Sequence, residues 1–226
     1  MNIKHIFFDL DHTLWDFESN SKNTFEHIFK DNQINVKIDD FSSSYKPINQ
    51  KYWKLFREDK VSKEKLRYAR LRETFEALDY TIDDDLIDVL SEKYIENLSQ
   101  FNKLFTGTID ILEYLKPKYS MHIITNGFDE VQHKKLENSS ILTYFKHIIS
   151  SEKVGVKKPN PKIFHYALEI ANARSKESIM IGDNFEADIL GARSVGMHTI
   201  LCNFDEEIVS YNERTVSKLE QLKDHL

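Results

Sequence analysis

The chain has 226 residues with 40% hydrophobic and 12% aromatic content, enough to bury a core and to exclude global disorder. Its formal charge of −6 and pI near 5.9 argue against a nucleic acid polymer as partner, because such binding needs a basic face that displaces counterions. A single cysteine, Cys202, excludes an intrachain disulfide and a Cys-based zinc cluster, and suits a reducing compartment.

At the N-terminus, Lys4-His5 leads into the short apolar run Ile6-Phe7-Phe8, which is too brief for a secretory signal. No stretch offers the ~20 apolar residues that cross a bilayer, so a cytoplasmic protein without a membrane partner is expected. The run stops abruptly at Asp9-Leu10-Asp11, the pattern of a strand buried on both faces with polar residues at its carboxyl end. From 17 to 103 apolar residues recur at helical spacing: Phe25, Ile28 and Phe29; Ile48, Tyr52, Leu55 and Phe56; Leu66, Leu71, Phe75 and Leu78; Leu86, Leu90, Tyr94 and Leu98. Ser62 and the acidic run Asp83-Asp84-Asp85 read as helix starts. This segment is predicted to be an inserted all-helical module, with Gly107 returning the chain to the core.

Met121-His122-Ile123-Ile124 ends in Thr125-Asn126-Gly127 and repeats the first design, as does Ser178-Ile179-Met180-Ile181 ending in Gly182-Asp183-Asn184. Two further strands are expected at His147–Ile149 and His198–Leu201, while Lys134-Lys135 reads as solvated surface. Asn160 before Pro161 marks a helix start, with Ile163, Phe164, Ala167, Leu168 and Ala171 on one apolar face. Another helix is predicted from about Phe185 to Val195, stopped by Gly196. Strand alternating with helix implies an α/β fold, a Rossmann-like and mostly parallel sheet over residues 1–16 and 104–226, interrupted by the helical insertion 17–103.

In open α/β sheets, ligands sit beyond the carboxyl ends of the strands. Here those ends carry Asp9 and Asp11, Thr125 and Asn126, and Asp183, with Lys158 just before the helix start. Clustered carboxylates repel by several kcal/mol at an effective dielectric of ~20, so a cation or a proton must join them. An all-oxygen set favours Mg²⁺ over zinc, and Thr125, Asn126 and Lys158 suit a phosphate group. Metal plus phosphate points to phosphoryl transfer.

These residues resemble the four motifs of the haloacid dehalogenase superfamily. Asp9-Leu10-Asp11-His12-Thr13-Leu14 is similar to motif I, Thr125-Asn126-Gly127 to motif II, Lys158 before Pro159 to motif III, and Gly182-Asp183 through Asp188 to motif IV. The resemblance implies Asp9 as nucleophile and Asp11 as the acid and base. It places Mg²⁺ on Asp9, Asp183 and the Asp11 carbonyl, with Asp188 supporting the metal shell or Lys158. Thr125, the Asn126 amide and Lys158 would hold the phosphoryl oxygens, and Thr13 the turn. His12 is expected to face away from the phosphate. Asp11 favours phosphate esters over carbon–halogen bonds, which need no leaving-group proton.

The insertion resembles the helical C1 cap of this superfamily, which implies a lid over the site. Ile123 to Phe128 and Ser151 to Phe164 look like the bacterial pyrimidine 5′-nucleotidase subgroup, as do Tyr45, Asn49 and Trp53 in the cap. The expected partner is therefore a small phosphorylated metabolite, a nucleoside monophosphate, acted on by a monomer or homodimer. Tyr45, Asn49 and Trp53 recur every four residues and would present one face to a base; the alternative is that Tyr45 and Trp53 simply pack the cap. Trp15 and Phe17 are expected as packing or hinge residues. Competing functions are a phosphosugar phosphatase, a phosphosugar mutase related to β-phosphoglucomutase, and a non-catalytic phosphate-ligand regulator.

Overall fold

The computed structural model describes residues 2–204 and 214–226. Strand β1 (His5–Phe8) places Ile6, Phe7 and Phe8 with no exposed surface, as a central strand covered on both faces requires. Four helices follow: α1 (Phe17–Asp31), α2 (Ile38–Arg57), α3 (Lys63–Ala77) and α4 (Asp84–Asn97). The chain then alternates through α5 (Thr108–Leu115), β2 (Ser120–Thr125), α6 (Asp129–Asn138), β3 (Phe145–Ser150), α7 (Ser151–Val154) and α8 (Pro161–Ile170). It closes with β4 (Ser178–Gly182), α9 (Gly191–Ser194), β5 (His198–Cys202) and β6 (Thr215–Val216).

The sheet runs β3-β2-β1-β4-β5-β6, and every pairing in it is parallel. Winding leaves β1 toward β2 and β3, then restarts on the other side at β4, so the direction switches between β1 and β4. Register pairs Phe8, the last residue of β1, with Ile123 and Ile181, so β2 runs on two residues to Thr125 and β4 one to Gly182. Their carboxyl ends are thus brought within two residues of one another at the switch point, where open sheets bind ligands. One face of the sheet (Phe7, Ile124, Ile149 and Met180) packs on Ile163, Phe164 and Ala167 of α8. The chain divides into two compact units, Met1–Phe17 with Asn102–Leu226, and Glu18–Phe101.

Local signals explain the helix ends. Ser62 accepts from the Lys65 amide at 3.1 Å, Asp83 from Leu86 at 2.8 Å, and Asn160 from Lys162 at 3.0 Å. Each such cap contributes about 1 kcal/mol. Gly196 takes φ 81° after α9, as a left-handed stop must.

Three details differ from expectation. The helix foreseen over 185–195 is split: Phe185–Leu190 is a wider π-type turn, and only Gly191–Ser194 is α-helical. The widening lets Asp188 turn into the core while Asn184 caps the Ala187 amide at 2.9 Å. A sixth strand, Thr215–Val216, is two residues long and too short to show any periodicity. In α2 the buried stripe is Phe41, Tyr45, Asn49 and Phe56, rather than Ile48, Tyr52, Leu55 and Phe56. The stripe is rotated because its polar member, Asn49, is matched inside the helical unit: Arg70 Nη1 donates to Asn49 Oδ1 at 3.0 Å. Around that pair, Phe25 packs on Phe41, Tyr45 and Tyr94 at ring separations of 4.4–4.8 Å.

Three histidines stack across β1, β2 and β3. His122 is buried between His5, Phe7 and His147, with the nearest ring centroid at 4.7 Å. Burial first, and then the neighbouring His5, His147 and Lys146, push its pKa down to about 3. The unfolded chain takes up this proton near pH 6.5 while the folded chain stays neutral, so stability is lost as pH falls below that value. Replacing His122 with leucine should therefore flatten the acid limb. The urea midpoint should drop less between about pH 7 and pH 4.5 than in the parent chain. An unchanged pH dependence would remove His122 as its cause.

Candidate active site

Five segments bring their polar residues to the carboxyl end of the sheet. Asp9 and Asp11 follow β1, Thr125 ends β2, Lys158 precedes α8, and Asp183 follows β4. The π-type turn contributes Asp188. Lys158 is the centre of this group. Its ammonium, buried to 2% exposure, donates to Asp9 Oδ1 at 2.5 Å and to the Ile124 carbonyl at 2.7 Å, and lies 2.6 Å from Asp188 Oδ1. Two acceptors take two of the three protons of this ammonium, while Asp188 Oδ1 faces it as an ion pair without a hydrogen-bond partner.

The side chain of Asn126 is turned to the Lys158 loop. Its side-chain oxygen accepts from the Lys158 backbone amide at 2.8 Å, and its side-chain nitrogen donates to the Lys158 carbonyl at 3.0 Å. The side chain thus fixes the loop that carries the lysine. Thr125 Oγ accepts from the Gly127 amide at 3.0 Å and from Gln132 Nε2 at 2.7 Å. Both lone pairs are then taken, which leaves the hydroxyl proton to donate outward to an anion.

Asp11 is held from α6. Lys135 Nζ lies 2.5 Å from its Oδ1 and Gln132 Nε2 lies 3.0 Å from its Oδ2. Lys135 was expected on the solvated surface and is instead 2% exposed; its neighbour Lys134 is exposed as foreseen. The reason is rotational: Val131, Gln132, Lys135 and Leu136 form the buried stripe of α6, so the paired lysines point to opposite environments. That stripe was the signal by which Gln132 and Lys135 could have been found. Two glycines make room here. A Cβ at Gly127 would meet Gln132 Nε2 at 2.4 Å, and one at Gly182 would meet Asp188 Oδ2 at 2.3 Å. Thr13 is fully buried and donates to Asp183 Oδ1 at 3.3 Å, and His12 lies beside Phe17 with ring centroids 5.0 Å apart.

Carboxylate oxygens of Asp9, Asp183 and Asp188 lie within 4.8 Å of one another. At that spacing each pair of like charges costs about 3 kcal/mol or more at an effective dielectric of ~20. Counting Asp11 and Lys135 with this set, four carboxylates face two ammoniums, which leaves an excess of two negative charges. The imbalance shows in the pKa values. Burial raises Asp9 well above the usual carboxylate range against the pull of Lys158, and Asp188 and Asp183 raise it further. Burial and Asp188 push Asp183 up to about 7. For Lys158, burial acts downward but Asp188 and Asp9 outweigh it, so the amine stays protonated. An all-oxygen set with two uncompensated charges fits a hard divalent cation. Asp188 has one oxygen on Lys158 and the other on the Asn184 amide at 3.0 Å, so Asp9 and Asp183 are better placed as direct ligands. Both carboxylate oxygens of Asp11 are engaged by α6, which leaves its carbonyl for a cation.

A family model described as haloacid dehalogenase-like hydrolase matches residues 6–202. The chain belongs to that family. It is 30% identical to YfnB of Bacillus subtilis (strain 168) over 96% of this chain and 92% of YfnB. A magnesium-bound crystal structure of YfnB superimposes with a TM-score of 0.90, covering 100% of this chain and 99% of that one. Pyrimidine 5′-nucleotidase YjjG of Escherichia coli (strain K12) is 32% identical over 88% of this chain and 85% of YjjG. The glyceraldehyde 3-phosphate phosphatase of Methanothermobacter thermautotrophicus is 32% identical over 89% and 86%. Among the described residues, no helix of this haloacid dehalogenase-like hydrolase is long and apolar enough to cross a membrane.

Within the helical unit, Tyr45 and Asn49 are buried, Tyr45 in the aromatic cluster and Asn49 on Arg70. Trp53 is half-buried and meets Phe56 at a ring separation of 5.7 Å.

The raised Asp183 gives a pH signature. Between about pH 4 and pH 7 the unfolded chain releases a proton that folded Asp183 retains, so without a cation stability falls as pH rises through this window. A bound divalent cation favours the ionised form and reverses the trend. The rise in Tm on adding Mg²⁺ to chelator-treated protein should grow from about pH 5 to pH 8. A Tm increment independent of pH would contradict this assignment.

Proposed function

We propose that this chain is a Mg²⁺-dependent phosphomonoester hydrolase that forms an aspartyl-phosphate on Asp9 and acts on nucleoside 5′-monophosphates, pyrimidine nucleotides first. The observation that carries the reading is the Lys158 ammonium on Asp9 Oδ1, with an acid group, Asp11, two residues away on the same strand end. Lys158 pulls Asp9 toward the ionised form that attacks, against the burial that raises its pKa. Thr125, with its proton left to donate, steadies a phosphoryl oxygen. A bound Mg²⁺, held by Asp9 and Asp183, would supply charge stabilisation for the phosphoryl oxygens.

In the first half-reaction an Asp9 oxygen bonds to phosphorus, the bond from phosphorus to the leaving oxygen breaks, and the Asp11 proton goes to that oxygen. In the second, water bonds to phosphorus as Asp11 takes one of its protons, the Asp9–phosphorus bond breaks, and inorganic phosphate leaves. Asp11 thereby returns to its starting state. Two positioned carboxylates and fixed donors are what phosphoryl transfer asks of a protein.

Support for the nucleotide class comes from YjjG, which is named for pyrimidine nucleotides and is similar over most of both chains. The phosphosugar reading has its own support in the relative named for glyceraldehyde 3-phosphate. Of the three cap residues, Trp53 keeps the most accessible ring for a base, while Tyr45 and Asn49 serve the interior of the helical unit.

Asp9→Asn should lower Mg²⁺-dependent phosphate release by roughly 10³-fold or more without loss of folding. Full activity in that variant would dismiss Asp9 as nucleophile. In a screen of kcat/KM over nucleotides and sugar phosphates, nucleoside 5′-monophosphates should rank highest. A sugar phosphate in first place would select the second substrate class, and phosphate retained on a sugar product would select a mutase.

A further inference from the structure

We propose that Lys135 is a positioning residue for Asp11. With Gln132 it clamps both carboxylate oxygens, so that Asp11 meets the leaving oxygen in a single orientation. This rests on the reading of Asp11 as the acid above. Lys135 takes Oδ1 at 2.5 Å and Gln132 takes Oδ2 at 3.0 Å. The two donors are three residues apart on α6 and therefore share a face. Lys135 is itself held: its ammonium lies 4.1 Å from the Trp15 ring centroid and 5.4 Å from that of Phe17. A cation over two aromatic faces gains electrostatic attraction and loses freedom of movement. Gln132 is fixed in turn by Thr125 Oγ at 2.7 Å. Neither donor can swing away without breaking a second contact.

Stability alone gives little reason for this arrangement. Burying a lysine costs desolvation that its ion pair seldom more than offsets, and an apolar side chain of similar length often serves as well. Positioning does give a reason, because proton delivery requires hydrogen-bond reach to one particular oxygen, and small misplacements carry large rate penalties.

The test compares two esters by kcat/KM. p-Nitrophenyl phosphate expels a stable phenoxide that needs no proton, whereas an alkyl phosphate needs one. Asp11→Asn is measured first, and should impair the alkyl ester far more than the aryl ester. Lys135→Met should show the same selectivity, losing roughly 10- to 100-fold on the alkyl ester and less than about threefold on the aryl ester, with Tm held or raised. Added to Asp11→Asn, it should cause no further loss, because it acts through that residue. Equal losses on both esters, no loss on either, or additive losses in the double variant would overturn the proposal while leaving Asp11 in place. An unselective Asp11→Asn would overturn both readings. Should Lys135→Met fail to fold, Lys135→Gln, which keeps a donor without the charge, carries the same comparison.

Discussion

A lysine ammonium buried among carboxylates is stable only if it is both paired and hydrogen-bonded, and Lys158 is both. It donates to Asp9 and to the Ile124 carbonyl and is ion-paired with Asp188, partners from three different segments of the core. The surrounding features follow from that demand. Asn126 clamps the backbone on either side of Lys158, which stops the loop before α8 from moving the amine. Gly182 has no side chain because Asp188 occupies the space a Cβ would need. The π-type turn over Phe185–Leu190 gives Asp188 its inward course.

Topology explains why this charge cluster has its place. The parallel strands β1, β2 and β4, of four to six residues and ending within two residues of one another, leave a crevice where the winding reverses between β1 and β4. The last residues before the crevice are apolar in β1 and β4, so the acids come where those runs stop. Asp9 is the first residue after an unbroken run of buried Ile6, Phe7 and Phe8. The same boundary is repeated at Thr125 and at Asp183. The candidate site therefore sits on strand ends.

What the sequence made legible was whatever lies contiguous with a strand end. The central strands, the helical insertion and the acidic, hydroxyl and lysine residues of the crevice all belong to short local patterns. What stayed hidden was polar residues facing inward from helices. Lys135 looks like half of a surface pair, because a lysine is seldom buried unless something pairs with it, and its partner Asp11 is distant in sequence. Asn49 displaced the predicted stripe of α2 for the same reason: Arg70, which satisfies it, lies on another helix. The π-type turn was hidden because its cause, an aspartate drawn inward to Lys158, is a tertiary contact and not a propensity.

Gln132 links the two halves of the crevice. One side-chain nitrogen donates to Thr125 Oγ and to Asp11 Oδ2, so these two site residues share one donor. Gly127 is glycine because that nitrogen approaches the backbone too closely for a Cβ. Thr125 and Asp11 are therefore not independent. A shift of α6 along its axis would move both at once, and a shift of β2 would be felt by Asp11 through Gln132. Rigid helix-to-strand packing here maintains the relative placement of the Thr125 hydroxyl and the Asp11 carboxylate, as the two half-reactions proposed above would require.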